Sequence, residues 1–345
     1  MAPSTPTELV SFPPLSGQVA VLTGPTASGK TEIAIEAAEQ LATIDPGAPP
    51  IEIVSLDSMA VYQGMDIGVA KPTRQQRDRI PHHLVDIVQP NQDFSVTEYL
   101  RRTHRVVAEI RRRGARPMLV GGTPMYLKAA LRGFCPGPPP DEDFRRQVAE
   151  DVCRYGLASL RQRLVQVDPL SASKIDPGDE RRMTRALEFA FHTGTPISHH
   201  QGQFDARPDP KESLVFALDM PRPVLHERIK ARIEIMFDSG LPDEVVTLLR
   251  KYGQLSRTAS QGVGYRELIP WAQAVASSEA GSAASATALD SALEQVLFHT
   301  RRLARRQSTW IRSFSEIRSV ETHRNRVPLE TRKTAAIIAE AIAAA

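Results

Sequence analysis

The feature that most constrains this chain is a glycine-rich turn between a short apolar run and a helix-forming segment. Residues 18–23 (QVAVLT) are typical of a buried strand, and residues 31–43 carry apolar side chains at helical spacing. A strand, a glycine-rich turn and a helix in this order predict a P-loop, whose backbone amides converge on phosphate oxygens at a helix N-terminus. The turn comprises Gly24, Pro25, Thr26, Ala27, Ser28, Gly29, Lys30 and Thr31.

Two side chains of this turn have expected roles. Lys30 supplies positive charge to the terminal phosphates, and the Thr31 hydroxyl is placed to ligate Mg²⁺. The pattern indicates a polyphosphate ligand, ATP included, without selecting one. An ATP-using enzyme also needs an acidic metal ligand at the end of a neighbouring strand. Asp57 ends the predicted strand 51–57 and suits either that role or a general base, and spacing does not separate the two.

Strand and helix patterns alternate over much of the chain, which predicts an α/β fold with a mainly parallel sheet flanked by helices. The predicted strands are 18–23, 51–57, 117–121 and 214–219, with an edge strand near 317–321. A helix begins after Ser95, where Glu98 completes a capping box, and ends near Arg113. Residues 141–200 show helix patterns only, which predicts an all-helical insertion.

These patterns give a linear organisation. We expect a flexible N-terminal tail (1–17), the first part of the P-loop core (18–136), a helical insertion (137–212), the completion of the core with C-terminal helices (213–325) and a C-terminal tail helix (326–345). The Ala/Ser-rich composition of segment 274–290 predicts a surface loop or a flexible insertion.

Composition narrows the class of protein. With 41% hydrophobic and 24% charged residues among 345, the chain resembles soluble globular proteins, and it lacks the run of about 18 apolar residues that spans a membrane. Two cysteines are too few for a disulfide framework. We therefore expect a cytoplasmic protein without a membrane partner. Separately, we expect a monomer, although composition does not determine the oligomeric state. Arginines bunch at 101–116 and 301–312, which suits either phosphate backbones or solvated helix faces.

Eight stretches resemble one family, the tRNA dimethylallyltransferases. They lie between about residue 18 and residue 321, in the order of the family, whereas segment 274–290 and the two tails match nothing. The stretches are GPTASGKT (24–31), SLDSMAVYQGMDIGVAKPT (55–73), PHHLVDI (81–87), LVGGTPMYLKAAL (119–131), RRMTRALE (181–188), RIKARIEIMFDSGL (228–241), GVGYRE (262–267) and TRRLARRQSTWIR (300–312).

The resemblance implies a reaction. The dimethylallyl group of dimethylallyl diphosphate would pass to N6 of the tRNA adenosine 3′-adjacent to the anticodon, and diphosphate would leave. The resemblance makes Asp57 the general base, Thr123 a contact of the target nucleotide, and Arg232 the clamp on the diphosphate, with Arg228 as the open alternative. By their positions alone, Asp57 and Thr123 also suit helix caps, and Arg232 suits a solvated helix face.

The chemistry of the reaction supports this implication independently. As the carbon–oxygen bond of an allylic diphosphate stretches, charge develops on the leaving group, and positioned amides and cations stabilise it. The exocyclic amine of adenine is a weak nucleophile, because its lone pair is drawn into the ring. It needs a carboxylate that orients it and accepts its proton.

The resemblance also implies that the anticodon stem-loop of tRNA binds with its target adenosine extruded from the stack. Tyr265 suits stacking on a base and a place in the core equally well. The implied tRNA contacts are Asp57, Ser58, Met59, Ala60, Thr123, Arg145, Arg181, Arg182, Met183, Thr184, Arg185, Gln261, Gly262, Val263, Gly264, Tyr265 and Arg266.

Three other functions compete with this one. An adenylate isopentenyltransferase acts on free nucleotides and has no need for the helical insertion or the basic C-terminal helices. A P-loop kinase for small molecules would use ATP instead, and an RNA-binding P-loop protein would have no activity. The pairs His82–His83 and His199–His200 lack partners at metal-ligand spacing, which favours surface or hydrogen-bonded histidines.

Overall fold

The computed structural model describes residues 10–202, 214–277, 283–324 and 327–345. The chain divides into two units, and each is described by itself. The helical unit comprises Met1–Pro14 and Lys128–Ala206, and the sheet unit comprises Leu15–Leu127 and Arg207–Ala345.

The helices and strands follow in chain order. Before residue 133 they are β1 (Ala20–Thr23), α1 (Lys30–Ile44), β2 (Ile51–Ser55), α2 (Arg74–Arg79), β3 (His82–His83), α3 (Val96–Arg112), β4 (Arg116–Gly121) and α4 (Pro124–Arg132). The helical unit then contributes α5 (Glu142–Tyr155), α6 (Leu157–Val167), α7 (Pro169–Lys174) and α8 (Glu180–Thr193). The remaining elements are β5 (Val215–Asp219), α9 (Arg222–Asp238), α10 (Leu241–Tyr252), α11 (Tyr265–Ser277), α12 (Ala283–Ile311), β6 (Arg318–Glu321), β7 (His323–Arg324), β8 (Val327–Pro328) and α13 (Thr331–Ala343).

The sheet unit is built on six parallel strands in the order β3-β2-β4-β1-β5-β6. All residues of β1 and β2 are buried, as expected where helices cover both faces of a parallel sheet. The predicted α/β fold with a mainly parallel sheet is confirmed. The strands predicted at 18–23, 51–57, 117–121, 214–219 and 317–321 correspond to β1, β2, β4, β5 and β6.

The strand order determines which loops meet. β4 lies between β2 and β1, so the loop after β4 lies between the loops that follow the other two strands. Because all three strands are parallel, these loops emerge at the same carboxyl edge, where open α/β sheets bind ligands. The three loops carry the P-loop turn, Asp57 and Thr123.

The helix that follows the P-loop turn is fixed by apolar contacts. Helix α1 buries one face against the sheet, and α13 packs on α1 through small and branched side chains. Residues Ala335, Ile338, Ala339 and Ile342 of α13 share a core cluster with α1. The C-terminal helix therefore covers apolar surface of the P-loop helix, which gives the terminal segment a structural role.

The helical unit has its own small core. Phe144, Val148, Leu160, Leu164 and Met183 pack together from α5, α6 and α8. The described residues from 135 to 202 contain no β-strand. Burial of each amphipathic face against its neighbours accounts for a stable helical layer.

The segment 274–290 differs from its prediction. Residues 274–277 belong to α11 and residues 283–290 to α12, so the predicted loop is wrong for these residues. Alanine has the highest helix propensity, which explains why an Ala/Ser-rich composition extends two helices. Residues 278–282, and residues 1–9 of the predicted N-terminal tail, lie outside the described residues. Over the described residues, no helix has the length and apolarity that crossing a membrane requires.

Candidate active site

A cavity of about 480 Å³ lies at the carboxyl edge of the sheet, within the sheet unit. All three loops that follow β1, β4 and β2 contribute to its wall. Helix α9 adds the polar side chain of Arg232, and α12 adds those of Thr300 and Gln307. The polar and P-loop residues that line it include Thr26, Ala27, Gly29, Lys30, Thr31, Asp57, Ser58, Thr123, Arg232 and Gln307. Gly24, Pro25 and Ser28 of the turn are buried and are not part of the lining.

The turn between β1 and α1 approaches its neighbours closely. A Cβ atom on Gly24 would lie 2.9 Å from the Ser28 Oγ and 3.2 Å from the Leu218 Cβ, so this position requires glycine. The Lys30 Nζ donates to the Pro25 carbonyl, 2.7 Å away. The turn is thus closed on itself by its own lysine, which keeps the ammonium group at the cavity.

Lys30 and Arg232 bring positive charge to this cavity, and over the described residues neither has a carboxylate within ion-pair distance. Lys71, in the same wall, is paired with Asp66 and Asp86. Burial, followed by the charge of Arg232, lowers the pKa of Lys30 to about 8, and the charge of Asp57 opposes this shift. Burial also lowers the pKa of Arg232. Arg232 Nη2 donates to the Val69 carbonyl at 3.4 Å. Because both cations donate to neutral carbonyls, their charges remain available to an anionic ligand.

Arg228 and Arg232 lie one helical turn apart on α9 and have different hydrogen-bond partners. The Arg228 Nε donates to the Ala27 carbonyl at 2.9 Å, so this side chain holds the backbone of the P-loop turn. Ala27 has a φ of 64°, in the left-handed region that non-glycine residues rarely adopt. Arg232 lines the cavity, whereas Arg228 does not. The geometry therefore favours Arg232 for direct contact with a ligand.

Asp57 and Thr123 lie side by side at the ends of β2 and β4. One oxygen of Asp57, Oδ1, accepts from the amides of Met59 and Ala60, at 2.8 and 3.4 Å. The Thr123 Oγ1 accepts from the Ser58 amide at 3.1 Å. These bonds cap the following turn and hold the carboxylate in place. The capping geometry is therefore compatible with a chemical role at the cavity.

A half-buried carboxylate anchors the loop that continues from Asp57. Glu244 on α10 accepts from the amides of Asp66, Ile67 and Gly68, and from the Tyr265 hydroxyl at 2.6 Å. Tyr265 is fully buried, and burial together with the negative charge of Glu244 raises its pKa. Sequence reasoning missed Glu244, because a lone acidic residue on a helix carries no local signal of its partners.

The comparisons with known proteins agree with this geometry. The family model described as IPP transferase matches residues 60–314. A tRNA dimethylallyltransferase of Rhodopirellula baltica is 59% identical over 309 residues, which cover 90% of this chain and 89% of that protein. The chain belongs to the IPP transferase family. It is therefore a transferase, and the predicted membership is confirmed.

Further members of the family support the same conclusion. A tRNA dimethylallyltransferase of Geobacter sulfurreducens is 38% identical, with 88% of this chain and 92% of that protein covered. The crystal structure of the full-length tRNA isopentenylpyrophosphate transferase from Bacillus halodurans superposes with a TM-score of 0.63 at 32% identity. It covers 94% of this chain and 95% of that one. A eukaryotic dimethylallyltransferase acting on tRNA, at 24% identity and a TM-score of 0.67, supports the fold.

The family's implied tRNA contacts occupy different environments in the helical unit. Arg181 and Arg182 are exposed on α8, and Thr184 is half-buried. Met183 is fully buried in the helical core, which leaves only its backbone for contact with RNA. Arg145 and Arg185 both bind the buried carboxylate of Glu188, and Arg185 also donates to two proline carbonyls.

The implied tRNA contacts of the sheet unit are also mixed. Met59, Val263, Gly264 and Tyr265 line the cavity together with Ala60, whereas Gln261 and Arg266 are exposed. Gly262 is buried. The structure thus brings part of the predicted set to the cavity that holds Asp57, and leaves two polar side chains on the surface.

The histidine pairs have ordinary hydrogen-bond partners. His82 Nδ1 lies 2.7 Å from the Ile80 carbonyl, and His83 Nε2 lies 2.6 Å from Glu52. His200 contacts the Thr195 hydroxyl at 3.0 Å. Within the described ranges there is no group of three or more His, Cys, Asp or Glu side chains placed to hold a metal ion.

Proposed function

We propose that this chain transfers the dimethylallyl group of dimethylallyl diphosphate to N6 of the tRNA adenosine 3′-adjacent to the anticodon, with release of diphosphate. The observation that carries the proposal is one cavity shared by the P-loop turn, two cations and Asp57. The residues that would bind a polyphosphate and the carboxylate that would accept a proton from an amine therefore line the same cavity. Family membership supports the same reaction.

On the donor side, the P-loop amides, Lys30 and Arg232 bind the diphosphate. The bond between the allylic carbon and the diphosphate oxygen breaks, and its electron pair leaves with the diphosphate. Positive groups already in place stabilise the charge that develops on that oxygen, without the cost of reorienting water. Arg228 acts indirectly, because it holds the Ala27 carbonyl of the turn.

On the acceptor side, Asp57 accepts the proton. The amine nitrogen of adenine forms the new bond to the allylic carbon, and its proton passes to the Asp57 carboxylate. Oδ1 of Asp57 is engaged with two amides, which fixes the orientation of the group. Thr123, with its hydroxyl held by the Ser58 amide, positions the nucleotide beside it.

The oxygen donors of the cavity fit a divalent cation, and we propose Mg²⁺. The Thr31 hydroxyl lines the cavity, and Mg²⁺ is usually held by one or two protein oxygens, with phosphate oxygens and water completing its shell. Thr31 would hold the ion. When bound, it neutralises negative charge on the diphosphate.

The RNA partner we propose is the anticodon stem-loop of tRNA. Arg181 and Arg182 present exposed guanidinium groups on the helical unit, suited to phosphates. Extrusion of the adenosine is required, since a base inside the stack cannot reach a carboxylate within a cavity. We further propose that the chain acts as a cytoplasmic monomer, with segment 137–212 as its tRNA-binding insertion.

The alternatives have less support. An adenylate isopentenyltransferase needs no helical unit, and one is present here. A kinase would need an acidic metal ligand next to the turn, and Asp57 is already placed for the acceptor amine. The relatives named above are tRNA dimethylallyltransferases.

The test combines substrate choice with removal of the base. Labelled dimethylallyl diphosphate is incubated with an anticodon stem-loop or with AMP, and we expect label in the RNA only. The Asp57→Asn variant should keep RNA affinity and lose about 10²-fold or more in turnover, the usual scale for a general base. Label in AMP alone, or unchanged turnover in the variant, contradicts the proposal.

A matched control shows that the effect belongs to this carboxylate. Asp45 is an exposed aspartate just beyond the other end of α1, and the helix of 15 residues places it about 22 Å from the P-loop turn. Asp45→Asn makes the same chemical change outside the cavity and should leave turnover unchanged.

A further inference from the structure

We infer that Gln307 of α12 is a positioning residue, which sets the distance between the diphosphate cradle and the loop that carries Thr123. This inference rests on the proposed function and adds a residue to which neither the family resemblance nor sequence reasoning gave a role. Gln307 is 8% exposed and lines the cavity.

One side chain connects two loops that are distant in sequence. The Gln307 Oε1 accepts from the Thr26 amide at 2.8 Å, and its Nε2 donates to the Gly122 carbonyl at 2.7 Å. Thr26 belongs to the turn after β1, and Gly122 to the loop after β4. The amide orientation is unambiguous, because one partner can only donate and the other can only accept.

The two loops also approach each other directly at this point. A Cβ atom on Gly122 would lie 2.7 Å from the Gln307 Nε2 and 2.9 Å from the Gly24 carbonyl oxygen. Gly122 therefore requires the smallest residue, and the Gln307 amide occupies the adjoining space. Backbone of one loop, backbone of the other and the amide form a single packed contact.

The contact continues to the acceptor side. Thr123 follows Gly122, and its hydroxyl accepts from the Ser58 amide, next to Asp57. A chain of bonds thus runs from Thr26 through Gln307 to the residue beside the proposed base. Reactions between two bound groups are sensitive to their separation, and an error of about 1 Å can cost about 10²-fold in rate.

The α12 helix supplies this bond from outside the sheet. The other groups that fix the two loops lie in the loops themselves or on α9, for example Lys30 and Arg228. The Gln307 side chain, by contrast, bonds to both loops at once. Its removal leaves the Thr26 amide and the Gly122 carbonyl without these bonds. The distance between the two loops is then no longer fixed by a shared side chain.

The first test is Gln307→Met, which keeps the length of the side chain and removes both hydrogen bonds. We expect kcat at saturating substrates to fall on the order of 10- to 100-fold, with a smaller change in the KM for dimethylallyl diphosphate and none in anticodon stem-loop affinity. Thermal unfolding measured on the same samples separates misplacement from loss of folded protein. A variant that unfolds earlier but keeps wild-type kcat per folded molecule overturns the inference.

The second test is Gln307→Glu, which gives a titratable version of the same contact. A neutral carboxyl accepts from the Thr26 amide and donates to the Gly122 carbonyl, whereas the ionised form cannot donate and faces the diphosphate with negative charge. Burial raises the pKa of such a group. The ratio of variant to wild-type kcat should therefore rise as pH falls from about 8 to about 6.

Lys30, Arg232 and Asp57 line the same cavity in both proteins, so their contribution to the pH profile is judged from the same ratio for Gln307→Met, which introduces no titratable group. Gln307→Met should show no such rise, and a ratio independent of pH for Gln307→Glu overturns the inference. Thr309→Ala on the same helix is the matched control, since its hydroxyl donates only to the Arg305 carbonyl of α12. If the proposed function itself is wrong, the wild-type protein transfers no label, an outcome distinct from both.

Discussion

The half-buried cationic side chains of the helical unit have different partners from those in the cavity of the sheet unit. In the helical unit, Arg145 and Arg185 surround Glu188, whose side chain is fully buried, with Nε and Nη1 contacts at 2.8 and 2.5 Å. In the cavity, Lys30 and Arg232 donate to backbone carbonyls instead. Two clusters of cationic side chains therefore differ in their partners, a carboxylate in one and neutral carbonyl oxygens in the other.

The difference in partners distinguishes arginines that stabilise the fold from cations that can bind an anionic ligand. An arginine paired with a buried carboxylate has its charge neutralised within the fold, and separating the pair is costly. A cation that meets only neutral carbonyls lowers the stability of the empty protein and gains from an incoming anion. Three predictions test this comparison, the first with the largest expected effect.

The first prediction concerns Glu188. Burial raises the pKa of this carboxyl, but the hydrogen bonds from Arg145, Asp141 and Arg185 outweigh it, and the net pKa lies below the usual range. Glu188→Ala leaves two arginines without their buried partner and should lower the free energy of unfolding of the helical unit by about 3–5 kcal/mol. Chemical denaturation with hydrogen exchange on α5 and α8 measures the change.

The matched control uses the same arginine and an exposed partner. Glu142 contacts Arg145 at 3.4 Å with 82% of its side chain exposed. Glu142→Ala should change the free energy of unfolding by only about 0–1 kcal/mol, as for other surface pairs. Equal losses in the two variants would remove the distinction between the buried and the exposed pair.

The second prediction concerns the cation without a carboxylate. Lys30→Met should leave folding intact and lower kcat/KM for dimethylallyl diphosphate by about 10²- to 10³-fold, the scale of removing one preorganised group that stabilises developing charge. Steady-state kinetics measure it. Lys333→Met, an exposed lysine paired with Glu330, is the control and should have wild-type kinetics.

The third prediction uses pH and has the smallest effect. Burial lowers the pKa of Lys30 to about 8, so its charged form, which binds anions, is lost from the free protein as pH rises through that value. Once the pH dependence that comes from protonation of pyrophosphate itself is divided out, the affinity for pyrophosphate should therefore be flat below about pH 7 and fall by up to about tenfold per unit above pH 8. Titration calorimetry across this range measures it.

The control for this prediction is the Lys30→Met variant, which lacks the titrating ammonium group. In Lys30→Met the affinity should be weak at every pH, without the break near pH 8. A break of equal size in this variant would assign the titration to another group and leave the charge of Lys30 without a measurable role.

Much of the sheet unit was predictable from local patterns. Short apolar runs located β1, β2, β4, β5 and β6, because strands buried on both faces are apolar at every position. The P-loop turn was recognisable from glycine spacing, since its function requires close backbone approach. The predicted loop is wrong for residues 274–277 and 283–290, because the helix propensity of alanine prevails over the loop tendency of an Ala/Ser-rich composition.

The candidate site was only partly predictable. Asp57 and Thr123 were located by the ends of two strands, and their neighbourhood followed from parallel strands sharing one edge. Gln307 and Glu244 were not located, because each acts on backbone groups far away in sequence. Nothing in a helix pattern distinguishes a glutamine that bonds to two loops from one that faces water.

The sequence by itself determined the phosphate-binding turn, the alternation of strands and helices, and family membership, because these depend on residues close together along the chain. The tertiary structure alone decided which cations are neutralised. Arg145 and Arg185 meet a carboxylate, whereas Lys30 and Arg232 meet carbonyl oxygens. The physical reason is that the energy of a charge depends on burial and on the partners in contact, and both are set by packing rather than by residue type.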